Sequence, residues 1–206
     1  MKIFKDRIAA GQLLANRLEN TKADLVLGIP RGGVVVAAKV AKDLNLPLDI
    51  VVTRKIGAPG QEELALGAVD PDGEVVWDNE LLAQLDPPSG GLKLKIEEAK
   101  EEIQRREKLY RQGRSPLDVS GKTVILTDDG MATGSTILAA VKYLKRHGAK
   151  IILAMPVTSS DALKKVEREV ESSVILEIPE YFAAVGQFYQ QFEAVPDAEV
   201  VQLLKP

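Results

Sequence analysis

Two adjacent carboxylates, Asp128 and Asp129, stand between a short apolar run, Val124 to Leu126, and a small polar loop, Ala132-Thr133-Gly134-Ser135-Thr136. The apolar run follows the turn Ser120-Gly121-Lys122 and reads as a buried strand. Beyond the loop, Ile137, Leu138, Ala140, Val141 and Leu144 recur at helical spacing up to a natural stop at Gly148. In an open α/β sheet the carboxyl end of a strand is where ligands bind, and the acid pair falls there. The hydroxyls of Thr133, Ser135 and Thr136, the close backbone approach that Gly134 allows and the unpaired N–H groups of a helix start all suit a phosphate. Two carboxylates beside a phosphate would repel it unless they accept hydrogen bonds from hydroxyls of the same molecule, each worth about 1.5–3 kcal/mol. A sugar diol and a terminal phosphate on one ligand describe a ribose 5-phosphate unit.

Residues 124–136 resemble the phosphoribosyl pyrophosphate (PRPP) motif of the type I phosphoribosyltransferases: hydrophobic strand, Asp-Asp, two variable residues, Ala-Thr-Gly, then small hydroxyl residues. Two simpler readings compete. A turn at Asp129-Gly130 with Thr133 or Ser135 as helix cap needs one such residue rather than the whole set. A phosphoacceptor receiver domain carries its acids near its start, whereas more than half of this chain precedes them.

A second strand–glycine turn–helix pattern occurs earlier. Leu25 to Ile29 read as a buried strand, Pro30-Arg31-Gly32-Gly33 as the turn and Val34 to Leu44 as a helix. Alone this is an ordinary strand-to-helix turn; paired with the downstream motif it resembles the pyrophosphate loop of the same family. The resemblance implies backbone amides and Arg31 on the leaving group, and a cis peptide between Pro30 and Arg31. Ile50 to Thr53 read as the next strand, ended by Arg54-Lys55, and the turn-rich segment 56–63 fits a lid over a polyanion, where the family has a flexible closing loop. The same two cations also fit an exposed basic pair before a hairpin, which Leu66 to Val69 and Glu74 to Trp77 form across Asp70-Pro71-Asp72-Gly73.

The resemblance covers about residues 24–70 and 118–178. It implies an α/β class fold, three-layer α/β/α with a central mostly parallel sheet, in a single domain spanning 1–206 with a helical insertion at about 79–115 and a hood or tail at 179–206. It also implies Mg²⁺ held largely through PRPP itself, with Asp128 and Asp129 as the protein's metal-side carboxylates. The implied reaction displaces pyrophosphate at the ribose C1 carbon by a nitrogen nucleophile, through positioning and charge neutralisation. Asp128 and Asp129 would hold the ribose hydroxyls, Ala132 to Thr136 the 5-phosphate, and Pro30 to Gly33 with Arg54 and Lys55 the pyrophosphate. Members using 6-oxopurines commonly carry an Asp where Ala132 stands, which puts hypoxanthine and guanine in doubt. Adenine-, uracil- and orotate-type acceptors stay open. So does a different class, a PRPP-sensing regulator that binds nucleic acid or protein.

The remaining chain is less specific. A net charge of −3, 45% hydrophobic and 28% charged residues fit an ordinary soluble protein without global attraction to nucleic acid or membrane. The chain has no cysteine, which excludes disulfides and thiol chemistry, and no stretch of membrane-span or signal-peptide character, so a cytoplasmic setting is expected. Residues 5–19 read as an amphipathic helix, with Asp6 and Arg7 as surface or capping charges. Asp86 to Gly91 read as a loop or hinge and Lys93 to Tyr110 as a charged helix with an apolar stripe at Ile96, Ala99, Ile103 and Tyr110. Pairs Glu101–Arg105 and Glu102–Arg106 would support it; the Arg105-Arg106 and Arg111 to Arg114 charges read as a solvated face, with contact to nucleic acid or substrate as the alternative. The insertion has three open placements: on the sheet, over the site, or in a homodimer contact. Ser160 is expected to cap a helix over 162–171, before a last strand at 174–178. His147, the one histidine, falls at a helix end, which leaves no His-dependent triad. The tail 179–192 holds five of nine aromatic residues; Tyr181 or Phe182 could stack on a nucleobase, or the group could simply pack.

Overall fold

The computed structural model describes residues 3–58, 61–85 and 89–205. In chain order the elements are α1 (Arg7–Leu18), β1 (Leu25–Gly28), α2 (Gly32–Leu44), β2 (Leu48–Ile50), β3 (Arg54–Ala58), β4 (Gln61–Val69), β5 (Val75–Trp77), α3 (Asn79–Leu85), α4 (Ser89–Arg111), β6 (Thr123–Thr127), α5 (Ser135–Arg146), β7 (Lys150–Val157), α6 (Ser160–Val166), β8 (Ser172–Glu177) and α7 (Asp197–Leu203). Five parallel strands form the central sheet in the order β2-β1-β6-β7-β8, and β3-β4-β5 form a separate antiparallel sheet.

The three layers follow from strand alternation. Leu25, Leu27, Val124, Leu126, Ile151 and Leu153 face one way, onto Ile137, Ala140, Val141 and Leu144 of α5 and Ala162 and Val166 of α6. Val26, Ile125, Ile152 and Ala154 face the other way, onto Leu14 and Leu18 of α1 and Val36, Ala37 and Val40 of α2. Central strands apolar on both faces are what a covered parallel sheet requires, and β1 is buried throughout. Asp6 caps α1 by accepting from the Ala9 N–H at 2.7 Å, and Asn45 ends α2 in the left-handed region.

Several boundaries differ from the sequence reading. The second strand is Leu48–Ile50 rather than 50–53, and Arg54 and Lys55 begin a strand instead of ending one. Of the expected lid, residues 56–58 and 61–63 belong to the hairpin β3–β4, and Pro59 and Gly60 lie outside the described residues. Ile56 is buried with Val69, Ala99 and Ile103, so tertiary packing overrides the local turn signal. Ser159, not Ser160, caps α6, its hydroxyl accepting from Ala162 N–H at 3.1 Å, and α6 gives way to a 3-10 turn at Glu167. Residues 89–91 of the expected hinge open α4, and residues 86–88 lie outside the described set. Asp70 organises the β4–β5 turn, its carboxylate accepting from the N–H groups of Asp72 and Glu74 at 3.0 Å each. His147 closes α5, its ring tilted against that of Tyr143 and its Nε2 3.2 Å from Asp72. Among the described residues no helix is long and apolar enough to cross a membrane.

The insertion packs beside β3 through the expected stripe: Ala99, Ile103 and Tyr110 are buried together with Val200 of α7 and its C-cap Leu204. Glu102 accepts from both Arg105 (2.7 Å) and Arg106 (2.6 Å), where the sequence had paired Arg105 with Glu101. Arg111 is not part of a solvated face. It is buried, donates to both carboxylate oxygens of buried Asp49 at 2.5 Å and to Ile50 O at 2.9 Å. Asp49 also accepts from the backbone N–H of Ile50 and Leu117. Removing one partner leaves a buried charge unpaired, at a cost of about 3–5 kcal/mol. Arg111→Ala should therefore lose about that much stability in urea denaturation, whereas Arg105→Ala, on the exposed face, should leave it close to wild type. Equal effects would show that Asp49–Arg111 does not anchor the insertion.

Candidate functional site

The two motifs meet because their strands are neighbours. Gly28 at the end of β1 pairs with Thr127 at the end of β6, so the following loops leave the sheet side by side. Glycine is required at their contact. A Cβ on Gly32 would lie 1.9 Å from Asp129 Oδ2, and one on Gly33 2.6 Å from Asp128 Oδ1. The peptide between Pro30 and Arg31 is cis, as the resemblance implies. Downstream, Gly134 sits at the N-cap of α5 with φ of 80°, a conformation other residues resist, and sets the amide end of the helix against the cleft. Thr133 and Ser135 hydroxyls lie 3.4 Å apart there.

A cleft of about 420 Å³ joins these parts. Pro30, Arg31, Gly32, Arg54, Lys55, Asp128, Asp129, Ala132, Thr133, Gly134 and Thr136 all line it. Gly33 supports Asp128 from behind, and Ser135 lines an adjoining cleft of about 280 Å³ with Trp77 and Lys165. Phe182 lies outside the first cleft but lines a neighbouring one of about 470 Å³, which shares Ala132 and Thr133. Tyr181 is 77% exposed.

Sequence reasoning missed several residues. Arg7, read as a surface or capping charge, donates from Nε to Asp129 Oδ2 at 2.8 Å and from Nη1 to Glu193 O at 2.9 Å. Its guanidinium lies 3.9 Å from the Phe192 ring centre, a cation–π contact. Tyr189 donates its hydroxyl to Asp129 O at 2.5 Å. Much of the aromatic tail thus packs, with Phe182 on Phe188 and Tyr189 between Phe4 and Phe192. Arg106 of the insertion, Val185, Phe192 and Thr53 also line the cleft. Thr53 is buried and its hydroxyl has no partner. For Arg7 no local sequence signal exists; for Arg106 the sequence leaves substrate contact open as the lesser alternative, and only the fold places it in the cleft.

The acid pair is electrostatically costly in the unliganded chain. Burial, then the neighbouring Asp129 charge, pushes the Asp128 carboxyl well above the ordinary carboxylate range, with Lys55 opposing. Burial raises Asp129 as well, and the Arg7 guanidinium is the main opposing influence. An acid whose folded pKa is raised costs stability above that pKa, and the cost fades as pH falls towards the unfolded value. Asp128→Asn, which mimics the protonated form, should therefore raise the Tm of the unliganded chain near pH 8. The gain should shrink as pH is lowered through the raised pKa towards about 4. A gain that stays constant over that range, or a loss at pH 8, would contradict this electrostatic picture.

Comparison with known proteins supplies the family. The phosphoribosyl transferase domain model matches residues 3–193. A Mycobacterium tuberculosis protein named as a candidate phosphoribosyl transferase is 41% identical over 207 residues, covering 99% of this chain and 47% of its own length. The chain thus spans about half the length of that relative. Among solved structures, a Thermus thermophilus protein superposes with a TM-score of 0.81 at 38% identity, covering 99% of this chain and 98% of the other. Purine phosphoribosyltransferase from Pyrococcus horikoshii shares the fold, with a TM-score of 0.52 at 17% identity over 95% of this chain and 98% of its own. With the domain match running through both glycine-loop and acid-pair motifs, the chain belongs to the phosphoribosyl transferase domain family.

Proposed function

We propose that the chain binds PRPP in the 420 Å³ cleft and transfers its 5-phosphoribosyl group to a nitrogen nucleophile, a nucleobase in the simplest case, with release of pyrophosphate. The observation that carries this reading is the acid pair set against Gly32 and Gly33, with the hydroxyl loop and the cations in one cleft. Asp128 and Asp129 accept hydrogen bonds from the ribose hydroxyls, and residues 132–136 with the α5 amides hold the 5-phosphate. The backbone of Pro30 to Gly33, Arg31, Arg54 and Lys55 takes the pyrophosphate. The C1–oxygen bond breaks with its electron pair going to the pyrophosphate while nitrogen bonds to C1. Those cations stabilise the charge that develops on the leaving group.

Among the described residues no group of three or more His, Cys, Asp or Glu could hold a metal ion. Two adjacent carboxylates do fit magnesium that keeps substrate oxygens and waters, and Asp128 and Asp129 would be its protein side. Bound there it adds positive charge against the diphosphate. For the acceptor, Phe182 is the better stacking candidate, since it lines the cleft adjoining Ala132 and Thr133 while Tyr181 points to solvent exposure. Ala132, exposed and without a proton-handling group, remains the argument against 6-oxopurines. A nucleic-acid-binding regulator draws less support, because buried Arg111 is committed to Asp49 and Arg105 to Glu102 through two bonds.

The test is calorimetric titration of PRPP with and without Mg²⁺, on the wild type and the Asp128→Ala, Asp129→Ala double variant, followed by pyrophosphate release with single nucleobases. Magnesium-dependent binding that the double variant loses is expected, and Asp129→Asn alone should weaken binding or turnover about tenfold or more. Wild type that ignores millimolar PRPP would end this reading.

A further inference from the structure

The insertion helix α4 reaches the cleft through one side chain, Arg106. Its side chain is only 16% exposed, and its Nε is held by Glu102 Oε1 at 2.6 Å. That single bond fixes the guanidinium plane and leaves the Nη donors for another partner. Their position is on the cation side. Glu102, which orients Arg106, lines an adjoining groove with Arg54 and Lys55. Asp197 lies 3.6 Å from Arg31 and also feels the Arg106 charge. Thr53, one residue before Arg54, adds an unpaired buried hydroxyl to the same wall. A planar fork of donors beside two arginines and a lysine matches a diphosphate, whose several anionic oxygens accept paired N–H bonds.

Resting on the PRPP reading, we propose that Arg106 is a substrate-binding residue that grips the diphosphate, so that the insertion forms part of the pyrophosphate subsite. Glu102 is its positioning residue. The insertion then supplies a fixed cation from a helix, in addition to those on the glycine loop and on β3. Neighbouring Arg105 shares Glu102 but is 53% exposed and absent from the cleft lining, so it serves as the control for charge alone.

Calorimetry with inorganic pyrophosphate, ribose 5-phosphate and PRPP, at one ionic strength, separates the possibilities. Arg106→Gln should weaken pyrophosphate and PRPP binding about tenfold or more while ribose 5-phosphate binds as before. Arg106→Lys should recover part of the loss, because it restores the charge without the fork. Arg105→Gln should stay within about twofold of wild type, and circular dichroism should show unchanged helix content in all three variants. The proposal is overturned if Arg106→Gln binds pyrophosphate like wild type, if Arg105→Gln loses as much, or if ribose 5-phosphate binding falls equally. Wild type that binds neither PRPP nor pyrophosphate would instead remove the PRPP reading, and this inference with it.

Discussion

The parallel pairing of β1 with β6 is the constraint on which the site depends. Because Gly28 and Thr127 are partners, whatever follows each strand must share one small volume at the sheet's carboxyl edge. Carboxylates fill that volume from one side, so the other side admits no side chain, and Gly32 and Gly33 are the consequence. The glycine loop and the acid pair are therefore one structural object, although much of the chain separates them. An alanine at either glycine would have to move a carboxylate, which couples the shape of the glycine loop to the position of the two acids.

That close packing creates an electrostatic burden, met from the two ends of the described chain. Asp129 is held by Arg7 from α1, and Arg7 is itself held by Glu193 O and Phe192 from the tail. Tyr189, burial-shifted upward in pKa and so a firm donor, fixes the backbone carbonyl of the same aspartate. A long arginine side chain between a carboxylate and an aromatic face gains from both contacts at once, and both partners stay in place only if α1 and the tail remain docked. The aromatic cluster of Phe4, Phe188 and Tyr189 does that docking. Packing far from any motif thus holds in place the guanidinium that opposes the upward shift of the Asp129 carboxyl.

These two relations explain what the sequence could and could not disclose. Contiguous features were legible. The apolar strand, acid pair and hydroxyl loop lie within residues 124–136, and their backbone roles follow from strand end, helix start and the positive φ of Gly134. The three-layer order was legible because β1, β6 and β7 are apolar on both faces. Arg7 was not legible, since its partner is 122 residues away and nothing local distinguishes it from a surface charge. The β3–β4 hairpin was misread for the opposite reason: glycine and proline within 56–63 suggest a turn-rich loop, whereas burial of Ile56 against α4 decides for a strand. Arg111 likewise reads as one more charge on a charged helix until Asp49, at the start of the neighbouring strand, is found to need it.

The cations of the cleft are not idle before a ligand arrives. Arg31 lies near Asp197, Arg106 is bonded to Glu102, and Lys55 feels Asp128, while Arg7 holds Asp129 from outside the cleft lining. A phosphorylated sugar entering such a cleft exchanges one set of ion pairs for another, so it does not meet bare charge. The net electrostatic gain from any single pair is then modest, since desolvation and lost internal contacts offset much of the attraction. What the arrangement does provide is orientation: Arg31 and Arg106 each line the cleft with a carboxylate neighbour to restrain them. For the proposed displacement at C1, in which positioning and stabilisation of leaving-group charge dominate, a pre-oriented set of weakly committed cations is more useful than a strongly attractive but mobile one.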